Sequence, residues 1–297
     1  MKYLVGYSPD RGGREALELG IVLARSSAGS LVVATIVPET WGHPSMARVD
    51  AEYAAFLQQY ARKSLEKARA HVAKRVPAEF VSRAARSARE GLFAAAQDVR
   101  ADCIVLGSAR SARLGTFLEG GVTAGVLHSA PLPVALVPRG YAPGPRTRVR
   151  RITCAFSGAP EAAGTARAAR ELCARLKLPL RLLTFVVRDR QMYPTGAGYR
   201  VENVVANQWR GQAITAQKKV IAALPATPPV TAAVADGKDW KSAFASIPWK
   251  DGEMVAIGSS SIGPLLRVFL GSNAAKIVHY APVPCLILPW HGAARTT

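Results

Sequence analysis

The chain is written twice. Gly107-Ser108-Ala109-Arg110 is followed after nine residues by Gly120-Gly121-Val122-Thr123, and then by His128-Ser129-Ala130-Pro131-Leu132-Pro133-Val134. The series returns as Gly258-Ser259-Ser260-Ser261, nine residues, Gly271-Ser272-Asn273, and His279-Tyr280-Ala281-Pro282-Val283-Pro284-Cys285. Matched positions stand 151 apart throughout (258 − 107 at the glycines, 279 − 128 at the histidines). A register kept through glycines, a histidine and two prolines marks a tandem duplication, and it places the same kind of site in each half.

Two domains follow from the length of 297 residues. The expected division is a first domain over 1–140, a linker over 141–149, a second domain over 150–290 and a tail over 291–297. The linker reading rests on Pro143, Gly144, Pro145 and clustered arginine. A hydrophobic fraction of 49% and a charged fraction of 20% describe a globular chain. The chain opens on a strand-like run, Lys2–Tyr7, with no apolar leader ahead of it, and no run has the ~18 apolar residues of a spanning helix. A cytoplasmic location is the expectation. Cys103, Cys154, Cys173 and Cys285 form no CxxC pair and read as buried thiols in a reducing compartment.

The net charge is +19. It reads as arginine spread over Ala-rich helices (Arg83, Arg86 and Arg89; Arg167, Arg170 and Arg175), with one denser run at Arg146, Arg148, Arg150 and Arg151. No aromatic-interleaved basic motif or helix-turn-helix pattern accompanies it, so solvated faces are expected rather than a nucleic-acid surface.

Strand and helix patterns alternate. In the first half, strands are expected at Lys2–Tyr7, Leu31–Val37, Glu79–Ala84, Cys103–Leu106 and Val134–Val137. Helices are expected near Gly12–Ser27, Met46–Arg75, Glu90–Val99 and Val122–His128. The second half repeats the order, with strands at Arg151–Phe156, Leu180–Val187, Val230–Ala235, Met254–Ile257 and Cys285–Leu288. Its helices are expected near Pro160–Leu176, Glu202–Leu224, Trp240–Ile247 and Gly271–Tyr280. The apolar stripe Leu57, Ala61, Leu65, Ala68, Val72 and Val76 recurs as Val205, Trp209, Ala213, Ala216, Val220 and Leu224. Trp41, Tyr53, Phe56, Tyr60, Tyr199 and Trp209 are expected to pack these long helices on their sheets. The fold class is therefore α/β: two tandem doubly wound domains, each a five-stranded parallel sheet with helices on both faces, Rossmann-like.

Gly107 and Gly258 end apolar strands, where the absence of a side chain lets a ligand approach the backbone. Gly120 and Gly271 open helices, whose free N–H groups and partial positive charge suit phosphate. Ser259, Ser260, Ser261 and Ser272 add short donors. Together these describe an anion cradle built from two loops. It is neither a GxxxxGK[ST] loop nor a GxGxxG turn.

The ordered pattern G-x-x-G, nine residues, G-[S/T], then Ala-Pro-x-Pro-Val, resembles the universal stress protein family. Val5-Gly6-Tyr7-Ser8 and Asp102-Cys103-Ile104-Val105-Leu106-Gly107-Ser108 extend the likeness over essentially the whole chain. The resemblance implies an adenine-nucleotide-hydrolase-like fold and, in some members, ATP binding. Departures stand beside it. The second motif glycine is Arg110 in the first half and Ser261 in the second. The G-[S/T] pair is Gly120-Gly121 in one half and intact as Gly271-Ser272 in the other. The aspartate that ATP-binding members carry after their first strand is Ser8 or Ser157, with Asp10 two residues beyond Ser8.

The expected nucleotide-binding residues are therefore Ser157, Gly258, Ser259, Ser260, Ser261, Gly271, Ser272 and Asn273. The weaker equivalent site is Ser8, Gly107, Ser108, Arg110, Gly120, Gly121, Val122 and Thr123. No catalytic residue or metal ligand is expected, and His128 and His279 read as cationic helix ends. The expected function is a non-catalytic adenine-nucleotide-binding module for stress response or signalling, in which ATP orders the loop of its site and shifts a partner surface. The alternatives are a nucleotide-free dimerisation scaffold, a slow ATPase and a nucleic-acid binder. The two halves are expected to pack about a pseudo-twofold axis through their short terminal strands, with a homodimer as a further possibility.

Overall fold

A computed structural model of the chain describes residues 1–39, 49–127, 129–159, 162–188, 199–259 and 271–289, with backbone alone at 49–50 and 199–205. It divides into two units, Met1–Arg148 and Val149–Thr297. The first unit runs β1 (Lys2–Gly6), α1 (Arg11–Ser26), β2 (Ser30–Pro38), α2 (Val49–Val72), β3 (Ala78–Ala85), α3 (Ala88–Asp98), β4 (Cys103–Gly107), α4 (Gly121–Leu127) and β5 (Val134–Val137). All pairings are parallel, in the order β3-β2-β1-β4-β5. The second unit runs β6 (Arg151–Ala155), α5 (Ala162–Leu176), β7 (Leu180–Val187), α6 (Tyr199–Ala222), β8 (Val230–Gly237), α7 (Trp240–Ala245), β9 (Glu253–Gly258), α8 (Ser272–Tyr280) and β10 (Cys285–Leu288). Its order is β8-β7-β6-β9-β10, again parallel. Two doubly wound sheets thus stand where the periodicity placed them.

The central strands are buried because they are apolar without alternation. Leu4, Val5, Leu31, Val32, Val33, Ile104, Val105, Val134 and Ala135 are wholly inaccessible, as are Leu180, Leu182, Leu183, Val255 and Ala256. A strand covered by helices on both faces needs such a run. Asp10 starts α1 as its N-cap, its side chain accepting from the Gly13 N–H. The helix then buries Ala16, Leu17, Leu19, Ile21 and Val22. Its outer side is joined to α2 by Glu18, which takes a bidentate pair from Arg75 at 2.8 Å each and meets His71 Nε2 at 2.7 Å. Burial raises the Glu18 carboxyl, but the Arg75 hydrogen bonds and charge, with His71, hold it below its ordinary value.

The long helices differ from expectation in one respect. Leu57, Ala61, Ser64, Ala68 and Val72 form the buried face of α2, whereas Tyr53, Phe56 and Tyr60 are 46%, 60% and 41% exposed. These aromatics lie a step round the helix from the stripe and do not pack it on the sheet. In α6 the buried positions are Ala206, Ala213 and Gln217, and Trp209 is likewise exposed. Gln217 donates to the Thr184 hydroxyl and the Ala233 carbonyl, which draws its turn inward. Trp41 and the Tyr199 side chain lie outside the described residues.

Part of the arginine excess is also internal. Arg170 is only 3% exposed and donates to the Pro225 and Thr227 carbonyls, fastening the segment that leads into β8. It is not the solvated helix arginine its sequence setting implied. The Pro-Gly-Pro stretch after β5 is tied to the end of α1, where Arg25 donates to the Pro145 and Thr147 carbonyls and Arg148 donates to Arg25. No helix among the described residues is long and apolar enough to cross a membrane.

Candidate functional site

In the first unit β1 lies between β2 and β4, and the chain reverses direction across the sheet between β1 and β4. A crevice opens beyond the carboxyl ends of such strands. Here it is a cleft of about 210 Å³. Ser8, Asp10, Ser108 and Thr123 line it with polar groups, with Gly107 and Val122 beside them; Ala34, Ile36, Leu92 and Leu106 form an apolar wall. Six of the residues singled out from the sequence therefore meet at one place: Ser8, Asp10, Gly107, Ser108, Val122 and Thr123.

The glycines divide into two kinds. A Cβ on Gly107 would lie 2.1 Å from the Gly12 carbonyl oxygen, one on Gly12 2.6 Å from the Ser108 oxygen, and one on Gly13 2.0 Å from the Ser8 oxygen. These glycines let the first turn of α1 press against the end of β4. In the second unit a Cβ on Gly258 would lie 2.0 Å from Thr165 Oγ1 in α5. Gly107 is thus held to glycine by strand–helix packing while it also lines the cleft, and Gly258 is packed against the Thr165 side chain. Gly120, Gly121 and Gly271 behave otherwise. Among the described residues Gly120 would meet only Ala109, its Cβ at 3.6 Å, and Gly121 and Gly271 would meet nothing within 4 Å. None of the three has the left-handed φ that demands glycine.

Arg110 does not fill the first cleft. Its Nε reaches Asp10 Oδ2 at 3.2 Å, and its side chain is 79% exposed. Burial raises the Asp10 carboxyl; the Gly13 N–H, the Ser8 hydroxyl and Arg110 outweigh this and hold it below its ordinary value. Beside it, burial pushes the Tyr7 phenol up, with Arg14 opposing. Ser108 is buried, and its hydroxyl accepts from the Leu118 N–H at 2.9 Å. The Ala109 N–H donates to the Leu118 carbonyl, and Gly115 and Thr116 pair with Arg139. The nine-residue loop of the first half is thus closed by its own hydrogen bonds.

In the second unit Ser157 is exposed at the end of β6, and its Oγ accepts from the Ala159 N–H at 3.3 Å. Ser259 is buried and its N–H continues the β10 ladder to Leu288. Ser260 and Ser261 lie outside the described residues. Gly271 is the N-cap of α8 and supplies no side-chain cap; Ser272 and Asn273 stand exposed in its first turn. The N–H groups there have the character of an anion-binding helix start. His279 lies edge-on to Tyr280 at the far end of α8, 4.7 Å between centroids. His128 lies outside the described residues. Among the described residues no three His, Cys, Asp or Glu side chains gather to hold a metal.

Sequence reasoning passed over Gly12 and Gly13. The signal was present in Asp10-Arg11-Gly12-Gly13, an N-cap followed by two glycines where a helix former is expected, which marks a backbone under close approach.

The model of the universal stress protein family matches residues 1–138 and again 148–289. Universal stress proteins of Mycobacterium tuberculosis (strain H37Rv) and Mycobacterium bovis are each 37% identical over 292 residues, covering 97% of this chain and all of theirs. Among solved structures, a universal stress protein from Archaeoglobus fulgidus has a TM-score of 0.64 at 15% identity, with 98% of each chain covered. A putative universal stress protein from Pseudomonas aeruginosa UCBPP-PA14 has a TM-score of 0.54 at 14% identity, covering 97% of this chain and 92% of its own. The structural likenesses speak for the fold.

Proposed function

The chain belongs to the universal stress protein family as a tandem two-domain member, and from that premise we propose that it is a non-catalytic adenine-nucleotide-binding module of a cytoplasmic stress response. The observation that carries this reading is the set of glycines at the starts of α4 and α8. Among the described residues nothing packs against Gly121 or Gly271, and neither has a left-handed φ that demands glycine. A bound phosphate is what such positions leave room for.

The second half is the better site in this reading. It keeps Gly271-Ser272 and an uncapped helix start, and Ser157 and Gly258 end its neighbouring strands. In the first half ATP would displace Arg110 from Asp10. That pair is exposed and its loss is a minor cost. The apolar wall of Ile36, Leu92 and Leu106 would then face the base.

Calorimetry with ATP on Gly271→Asp and Gly120→Asp tests the assignment. A carboxylate among helix-start N–H groups opposes phosphate, so Gly271→Asp is expected to abolish binding and Gly120→Asp to spare it. Equal loss from both, or loss from Gly120→Asp alone, contradicts the assignment.

One observation favours a second reading, a nucleotide-free scaffold acting through dimerisation. The first-half loop is closed by Ser108, Leu118 and Arg139 with no ligand needed. Mass spectrometry of the unsupplemented protein separates the two: a retained nucleotide supports the first reading, and a nucleotide-free dimer in sedimentation supports the second.

A further inference from the structure

The duplication provides an internal control for features the fold does not need. In the second unit, Arg151 pairs with Glu253 in register, and Thr153 with Arg181. Glu253 has a fully inaccessible side chain. One of its carboxylate oxygens accepts from Arg151 at 2.6 Å and from the Lys250 N–H at 3.1 Å. The other accepts from the Thr153 hydroxyl and from Arg181, whose Nε donates to Thr153 at 3.0 Å. The third residue of the first strand and its partner in the second strand are Leu4 and Val32 in the first unit, both wholly buried. The first unit therefore builds the Thr153–Arg181 part of the cluster from an apolar pair, while Lys2 and Asp102 keep a basic and an acidic residue at the Arg151 and Glu253 positions, the Lys2 N–H donating to the Asp102 carboxylate at 2.7 Å. Replacing buried ionic groups with apolar side chains is often neutral or stabilising, so stability alone does not account for the addition of Thr153 and Arg181 to that couple.

The cluster also carries unbalanced charge. Two guanidinium groups face one buried carboxylate. Burial pushes Arg181 below its ordinary value; Glu253 opposes this and Arg151 adds to it. Arg151 Nε is buried without a hydrogen-bond partner among the described residues. Next to it lies a cavity of about 520 Å³ lined by Arg150, Arg151, Pro179, Lys250, Asp251 and Glu253. Arg150 and Lys250 are exposed at its rim. A volume of roughly 300–1,000 Å³ is usual for small-molecule sites.

We propose that this cavity, at the amino ends of β6 and β9, binds a phosphate monoester, with Arg150, Arg151 and Lys250 as donors and Glu253 positioning Arg151. The guanidinium groups of Arg150 and Arg151 supply charged donors for phosphate oxygens, Arg151 being held in one orientation by Glu253, and Lys250 adds a point charge. Asp251 offers an acceptor to a hydroxyl on the esterified carbon skeleton. The site stands at the strand ends opposite the nucleotide cradle and does not depend on that reading.

The test is calorimetry on the full chain at low ionic strength, with inorganic phosphate and glycerol phosphate as probes and sodium chloride of equal ionic strength as control. Trp249 supplies a second signal, since Arg181 lies over its ring at 5.1 Å. Saturable binding of glycerol phosphate is expected, tighter than that of inorganic phosphate, and unchanged in a Gly120→Asp/Gly271→Asp variant. Arg150→Ala/Lys250→Ala is expected to weaken it at least tenfold with no change in unfolding midpoint. Arg151→Lys keeps the charge without the guanidinium that Glu253 orients and is expected to weaken it severalfold. Absence of saturable binding overturns the proposal. So does parental affinity in Arg150→Ala/Lys250→Ala, or loss of binding in the cradle variant. If inorganic phosphate binds as tightly as the ester, the monoester assignment fails. The rim variant decides the matter even if changes at Arg151 compromise folding, because both rim side chains are exposed.

Discussion

Asp10 holds the start of α1 and lines the first cleft at the same time. Its carboxylate caps Gly13 at 2.8 Å and meets Arg110. Asp10→Ala should lower stability by about 1 kcal/mol at neutral pH, the usual loss for an N-cap. Because the folded carboxyl sits below its ordinary value of 3.8, this contribution is present above that value and fades as pH falls through the folded one. Urea unfolding of parent and variant across pH 2–7 should show the two curves converging at the acid end; a difference that grew on acidification would refute the account. Ser157 occupies the matching strand end in the other unit, with a neutral side chain. Ser157→Asp should tighten ATP about ten- to hundredfold, because a charged hydrogen bond contributes roughly 1.5–3 kcal/mol. Free triphosphate should not share the gain. An unchanged ATP affinity in a folded variant would favour the scaffold reading.

Helix starts and strand ends separate the glycines by their contacts. Gly107→Ala would drive a Cβ into the Gly12 backbone, and neither element can retreat without opening the α1–β4 packing. A loss of about 3 kcal/mol is expected, at the upper end of overpacking effects. Gly258→Ala meets the Thr165 side chain instead and should lose less. Gly121→Ala and Gly271→Ala meet nothing within 4 Å among the described residues and should leave the unfolding midpoint nearly unchanged while weakening any ligand at the helix starts. Denaturant unfolding of the four variants, set beside ATP titrations of the last two, checks the division. A marginal effect at Gly107 with a large one at Gly271 would reverse it.

Across the whole molecule the four cysteines share one fate. Cys103, Cys154, Cys173 and Cys285 are buried, and desolvation pushes each thiol up to about 12. A thiolate is the reactive form, so the native protein should resist thiol reagents at pH 8 and release four equivalents only on unfolding. Rapid labelling of even one cysteine in the native state would show that its strand or helix opens locally.

The repeat, the strand and helix order and the α/β class were legible in the residues because hydrophobic periodicity and turn glycines are local signals. Three of the four buried cysteines were legible for the same reason, since Cys103, Cys154 and Cys285 sit in apolar strand-like runs. The division of the glycines was not. Gly107 and Gly271 look alike in sequence, and only the approach of α1 to β4 shows that one is filled by protein and the other is open. Tyr53, Phe56 and Tyr60 looked like core because aromatics usually bury, yet a small rotation of α2 about its stripe decides which side of the helix meets the sheet. Arg170 looked like surface charge, and Arg181 was passed over inside an apolar strand pattern. Their burial depends on carbonyls, a hydroxyl and a carboxylate brought from distant positions, and no periodicity in the chain encodes those meetings.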